Sequence, residues 1–300
     1  VQAWIAADSH PISKNPYVLY GVSNLGSLAG LLAYPLWIET RLTNGQQAAF
    51  WSYGFGLYVV CMLGCVWAYF NVFRSKKSLS THIRKPGGGD PRQLVALKER
   101  ISWLMQAFVP SAALMVFTQH ITVDVVNFPL LWVIPLCLYL ISFVICFFWP
   151  QLSQEHPART LVVLITIGIF VITLRGEFDL NLLYKVLAAC LGLFGICMYF
   201  HGNLERNKPA TRDLTSFYLY LSMGGCLGGI FVGILAPLVF KSNFEMYLVL
   251  IASVYAVLVQ YLKVRRKALL RVAEIVAVVP RPSQRLEVAQ LKSRVFAPQD

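Results

Sequence analysis

The chain is 300 residues long, 57% apolar and only 13% charged, with a mean hydropathy of +0.60. A soluble domain carries about twice that share of charge, so the composition excludes an ordinary water-soluble fold. The formal net charge of +12 would suit nucleic acid only as a basic face on a soluble domain; here the charges fall between apolar runs, and no nucleic-acid partner is expected.

Val1–Asn15 reads as the frayed end of a helix followed by a polar connector. It has neither an initiator Met nor a signal-peptide pattern, which predicts a processed, trimmed or partial chain. The first membrane span is predicted at Tyr17–Ile38. The second lies within Thr43–Phe73, with Trp51 and Trp67 near its ends, where interfacial aromatics belong. From Arg74 to Arg100 the apolar pattern stops, and basic residues surround Pro86-Gly87-Gly88-Gly89-Asp90-Pro91, a flexible basic loop. Ile101–Thr118 is the third span, followed by the polar passage Gln119–Asp124. Pro129–Trp149, Thr160–Leu174 and Asn181–Phe200 are the fourth to sixth, the last with Lys185 one turn inside its start. Leu214–Phe240 carries no charge, and at about 1.5 Å per residue it outspans a hydrocarbon layer of about 30 Å. Phe244–Leu262 is the eighth span. A basic tail follows to Asp300, within which Ala268–Val279 is apolar enough to lie on a membrane surface.

The expected fold is thus an all-α integral membrane bundle of about eight spans. Residues 1–73 form the N-terminal helix pair of a first half, 74–100 a basic loop, 101–262 the six-helix remainder and 263–300 a basic tail. Of the 26 Lys and Arg, only Arg41, Arg175 and Lys241 fall on one side of this segmentation, with Lys185 inside a span. That bias puts the basic loops and both termini in the cytoplasm. A second regularity is internal. Ser23, Gly26 and Gly30 map onto Ser222, Gly225 and Gly229 at one constant offset, with Tyr17, Leu19 and Tyr20 beside Tyr218, Leu219 and Tyr220. Small residues one turn apart let helices pack closely in lipid. A helix repeated at equivalent places in two halves is a transporter plan. At the same offset Val1 falls on Phe200, which predicts a helix ahead of Val1 that this chain lacks.

Three stretches carry a family resemblance. They are Asn15-Pro16-Tyr17-x-Leu19-Tyr20-x-x-Ser23-Asn24-x-Gly26-Ser27; Val109-Pro110-Ser111 with His120-Ile121-Thr122-x-Asp124 and Pro129-Leu130-Leu131-Trp132-Val133-Ile134-Pro135; and His201-Gly202-x-Leu204-Glu205 with Thr215-x-Phe217-Tyr218-Leu219 and Gly224-Gly225. Together, from about Asn15 to Phe240, they resemble the multi-pass membrane region of bacterial proteins in which a transporter-like bundle is fused to a spermidine-synthase-like domain. The resemblance implies a bacterial inner membrane, and an aminopropyltransferase chemistry residing in a soluble domain outside this chain. Gly87-Gly88-Gly89-Asp90 looks like the glycine turn of soluble aminopropyltransferases. Such a turn works between a buried strand and a helix N-terminus, and Ser80–Pro86 is no buried strand. No cofactor is expected.

Candidate chemistry is sparse. His120 and Asp124, four apart with Thr122 between them, share a helix face and form either a proton-accepting pair at membrane depth or a polar turn at the outer surface. Ser23, Asn24 and Ser222 either bind a polar ligand or bridge helices. Tyr17, Tyr20, Tyr218 and Tyr220 either cage an amine or form an interfacial belt. Lys185 is expected to snorkel, offset by Glu177 and Asp179. His201, Glu205 and Arg206 form either a cytoplasmic gate or a solvated connector. The seven Cys all lie in apolar runs; Cys61 and Cys65 share a face, but no His or acid accompanies them, so no metal site is expected. Hydrolase motifs and a phosphate-cradling loop are absent. Two functions remain open: an anchor or accessory subunit docking a soluble or membrane protein through Arg74–Arg100 and the tail, or a carrier of a small polar or cationic solute.

Overall fold

The computed structural model describes residues 17–68, 70–71, 97–125, 130–153, 157–174, 181–210 and 213–278. Among them the secondary structure is helical, without strands. In chain order these are α1 (Val18–Ala33), α2 (Asn44–Ala68), α3 (Leu97–Gln119), α4 (Val133–Phe148), α5 (Pro157–Leu174), α6 (Leu182–Arg206), α7 (Leu214–Ile230) and α8 (Phe244–Val278). Long apolar runs leave helix as the economical way to satisfy every backbone donor away from water.

Five helices are long and apolar enough to cross a bilayer: Asn44–Ala68, Leu97–Val123, Leu182–Arg206, Leu214–Val239 and Phe244–Arg266. They point to an integral membrane protein. The fourth and fifth expected spans are apolar but shorter, at Val133–Phe148 and Thr160–Leu174. The first is helical but is not among the five; Ser23, Asn24 and Ser27 dilute its apolar character.

Several helices do not stay α-helical. α1 passes into a π turn at Tyr34–Ile38 that holds Pro35, then into a short helix at Glu39–Arg41. α7 passes into a π turn at Phe231–Leu235 ahead of Pro237. α3 continues as π-helix through His120–Val125, so the polar passage expected to turn or re-enter is an extension of the third helix. The sixth helix runs past Phe200 to Arg206, and the eighth past Leu262 to Val278, so Leu262/Lys263 is not a break.

α6 is the central element and packs on α3, α4 and α5. α1 lies on α4, where the absence of a side chain on Gly21 admits the Phe148 ring. α7 lies along α3 in the tightest seam of the molecule. A Cβ on Gly224 would stand 2.3 Å from the Leu104 carbonyl oxygen, and one on Gly228 2.6 Å from that of Phe108. Ser111 Oγ donates to the Gly225 carbonyl across the same seam at 2.8 Å. The core has two parts. One gathers Phe117, Phe170, Leu193 and Ile196; the other gathers Tyr17, Trp103, Phe143, Phe147 and Phe217. Among the described residues α2 stands apart: it buries none of its own, and Tyr34 OH, in the turn after α1, donates to its Gln47 Oε1 at 3.3 Å.

Candidate functional site

The starts of α1, α3 and α7 and the end of α6 converge at one end of the bundle. Tyr17 OH donates to the Pro209 carbonyl at 2.7 Å, and Trp103 Nε1 donates to that of Asn207 at 2.9 Å. Both bonds tie the residues after α6 to neighbouring helices. Beside them opens a cleft of about 840 Å³, walled by Lys98, Ser102, Trp103 and Gln106 of α3, by Lys208, and by Gln260 of α8. Its lining is polar in a protein that is otherwise apolar. Glu205 accepts from Lys208 Nζ at 2.5 Å, and Arg206 donates to Asn203 Oδ1. Gln106 Nε2 donates to Ser102 Oγ at 2.8 Å, while Gln106 Oε1 is buried without a hydrogen-bond partner.

His201 is not at the mouth of this cleft. It is fully buried in the second core, stacked on Phe143 at 3.5 Å between ring centroids and edge-on to Tyr139 at 4.9 Å. Ser142 Oγ lies 2.7 Å from His201 Nδ1 and 2.6 Å from the Tyr139 carbonyl. A hydroxyl has one proton, and the carbonyl can only accept, so Ser142 donates to Tyr139 and accepts from His201 Nδ1–H. His201 Nε2 is then a bare acceptor, buried without a partner. A helix residue expected as gate or connector is therefore a packed core group. The sequence does hold a hint of this: Ser142 interrupts the apolar run of α4, and a lone hydroxyl there needs a partner.

The tyrosine set is filled rather than hollow. The Tyr218 ring lies 6.2 Å from that of Tyr17 and 5.2 Å from that of Tyr20, centroid to centroid, and the three meet Phe143, Phe147 and Phe217 edge-on. The cations over the rings are the protein's own: Lys208 over Tyr17 at 5.4 Å and Arg100 over Tyr220 at 5.9 Å.

At the opposite end, His120 sits edge-on to Phe170 at 5.5 Å and lines a pinched space of about 10 Å³ with Gln119, Asn243 and Glu245. Glu245, near the start of α8, is 92% buried by complement of its 8% exposure. Glu245 lines the same space as His120, a proximity that sequence reading missed because the two are distant in the chain. His120 and Asp124 both fall in the π-helical stretch His120–Val125 that extends α3. Thr122 Oγ1 donates to the Thr118 carbonyl at 2.8 Å. The Asp124 side chain lies outside the described residues.

The remaining candidates separate. Asn24 Nδ2 donates to the Tyr20 carbonyl at 2.8 Å, a bond within its own helix, while Ser23 and Ser222 are exposed. Gly26, Gly30, Gly225 and Gly229 have nothing within 4 Å of where a Cβ would stand, and of the four Gly225 meets α3 through its carbonyl, which accepts from Ser111 Oγ. The contact on α7 falls one residue earlier, on Gly224 and Gly228, because each residue turns a helix face by about 100° and α3 lies on the earlier face. Lys185 is half-buried near the start of α6, and its expected partners Glu177 and Asp179 lie outside the described residues. So do Gly87-Gly88-Gly89-Asp90, most of the Arg74–Arg100 loop and the tail beyond Val278. Cys61 and Cys65 are exposed free thiols, and no group of three or more His, Cys, Asp or Glu among the described residues is placed to hold a metal.

Comparison of the chain with protein-family models, with curated proteins and with solved structures finds no match.

Proposed function

We propose that this chain is a membrane anchor or accessory subunit for a soluble enzyme or a larger membrane complex. The observation that carries the reading is α2, which buries none of its residues and exposes Tyr53, Phe55 and Tyr58 strongly. A helix that contributes nothing to its own bundle is free to pack on something else. In this reading the bundle has about eight spans in a bacterial inner membrane, with both basic ends in the cytoplasm, and Arg74–Arg100 and the tail reach the partner. The juxtaposition of Lys98, Lys208 and Gln260 around one cleft agrees with that sidedness. The resemblance to the membrane region of spermidine-synthase-like fusions names the class of partner, an aminopropyltransferase. Support for a two-half repeat is that α1 and α7 both give way to a π turn and then a short α-helical end.

The experiment places a photo-crosslinking residue at Tyr53, Phe55 and Tyr58 in turn, in the native membrane. One protein adduct recurring with helical periodicity, together with aminopropyl transfer by the purified complex, supports the reading. Lipid adducts alone, equal at every position, sink it.

The alternative is a carrier for a small polar or cationic solute, with His120 and Asp124 as the proton site. The polar cleft favours it, since a solute would need such a vestibule. Proteoliposome uptake that is lost in His120→Ala and Asp124→Asn supports the carrier; absence of any flux argues for the anchor.

A further inference from the structure

We propose that the seam between α3 and α8 is a binding site for one anionic glycerophospholipid, with its head in the polar cleft and an acyl chain in the groove that continues from it. The two helices run antiparallel, since Glu245 of α8 shares a cavity with Val116 and His120 of α3, and Gln260 shares one with Lys98–Gln106. Deeper along the same seam lies a second hollow of about 320 Å³, lined by Phe108, Val109, Ala112, Phe231, Leu248 and Ala252. Its lining is apolar. The step from Gln106 to Ala112 is about 9 Å along the α3 axis, and from Gln260 to Ala252 about 12 Å along α8, so polar cleft and apolar groove follow one another on both walls. Soluble anions have no use for such a groove; an amphiphile does.

The chemistry of the head follows from the cleft. Lys98 and Lys208 line it, and Lys263 stands one turn beyond Gln260 on the same face of α8. Opposing them are Glu99, and Glu205, which is bound to Lys208. Lys98 and Lys263 therefore leave a positive balance at a helix end, where a phosphodiester sits in a bilayer. The buried Gln106 Oε1, without a partner, lies at the junction of cleft and groove. A carbonyl oxygen there accepts a hydrogen bond, which a head-group hydroxyl can donate. Phosphatidylglycerol combines the anion, the hydroxyl and the acyl chain.

The purified full chain in detergent is examined by native mass spectrometry and thermal unfolding with added phosphatidylglycerol or phosphatidylcholine, and separately with glycerol phosphate or inorganic phosphate. Phosphatidylglycerol is expected to remain bound as one molecule and to raise the melting temperature, and phosphatidylcholine to do neither. The double variant Lys98→Gln/Lys263→Gln, at exposed positions, should bind phosphatidylglycerol about tenfold more weakly. Ala252→Trp, which fills the groove from an exposed position, should exclude it; Leu248→Trp repeats the block if that variant aggregates. Equal stabilisation by both lipids overturns the proposal. So does competition by glycerol phosphate or phosphate with no effect of the groove variants, which would mark a site for a free anion.

Discussion

A methyl group added at Gly224 has nowhere to go. Its carbon would lie 2.3 Å from the Leu104 carbonyl oxygen and 2.9 Å from Ala107 Cβ; at Gly228 it would lie 2.6 Å from the Phe108 oxygen and 3.0 Å from the Ala112 nitrogen. Most of these obstacles are backbone atoms, which cannot rotate away. Restoring van der Waals separation requires α3 and α7 to part by about 1 Å, and a gap of that size forfeits up to half of each dispersion contact along the seam. Overpacking of this kind costs about 1–3 kcal/mol. Alanine is a better helix former than glycine by about 1 kcal/mol, which offsets part of the loss. Gly224→Ala and Gly228→Ala should each destabilise by about 1–2 kcal/mol, and the double variant by less than the sum, because one separation relieves both clashes. Gly225→Ala and Gly229→Ala meet open space and should be neutral or slightly stabilising. Unfolding in mixed micelles on titration with a denaturing detergent, followed by tryptophan fluorescence, measures all four. If Gly225 and Gly229 prove the sensitive pair and Gly224 and Gly228 the tolerant one, α7 is rotated from the face assigned to it and the reasoning fails.

Ser142→Ala should cost about 1–3 kcal/mol, since it strips His201 Nδ1–H of its acceptor in a buried setting. Pairing it with His201→Leu should recover part of that loss in the same titration, because no orphaned polar group then remains. Trp103→Phe removes the bond to the Asn207 carbonyl and should cost about 1 kcal/mol in the same titration. A membrane-impermeant amine reagent applied to intact cells should leave Lys76, Lys77 and Lys85 unlabelled; strong labelling would overturn the orientation.

Helical class and the rough places of the helices were legible because lipid imposes a simple rule: long uncharged runs must bond their own backbone. Leu214–Phe240 and Phe244–Leu262 show this, each beginning where a helix of the structure begins, although the second helix runs on to Val278. Lys98 and Lys208, which the charge tally puts on one side, both line the cleft. Facing was not legible. Ser222, Gly225 and Gly229 are a small-residue strip, but so, one position earlier, are Gly224 and Gly228 with Leu221 ahead of them; only the partner helix decides which strip it uses. Depth misled as well. His201 stands beside Asn203 and Glu205 in a polar-looking end, yet α6 continues past it and buries it against Phe143. The π turns were unreadable, since nothing local in His120–Val125 separates i+4 from i+5 bonding.

α8 is a single helix of 35 residues, which makes it about 52 Å from tip to tip. A hydrocarbon slab of about 30 Å cannot cover that, so about two-fifths of a rod standing upright in it would project beyond. A small tilt at its foot becomes a sweep of the tip. The buried residues Val249, Ser253 and Val257 lie in the first half of that length, so the bundle grips the rod near one end and leaves the other free of it.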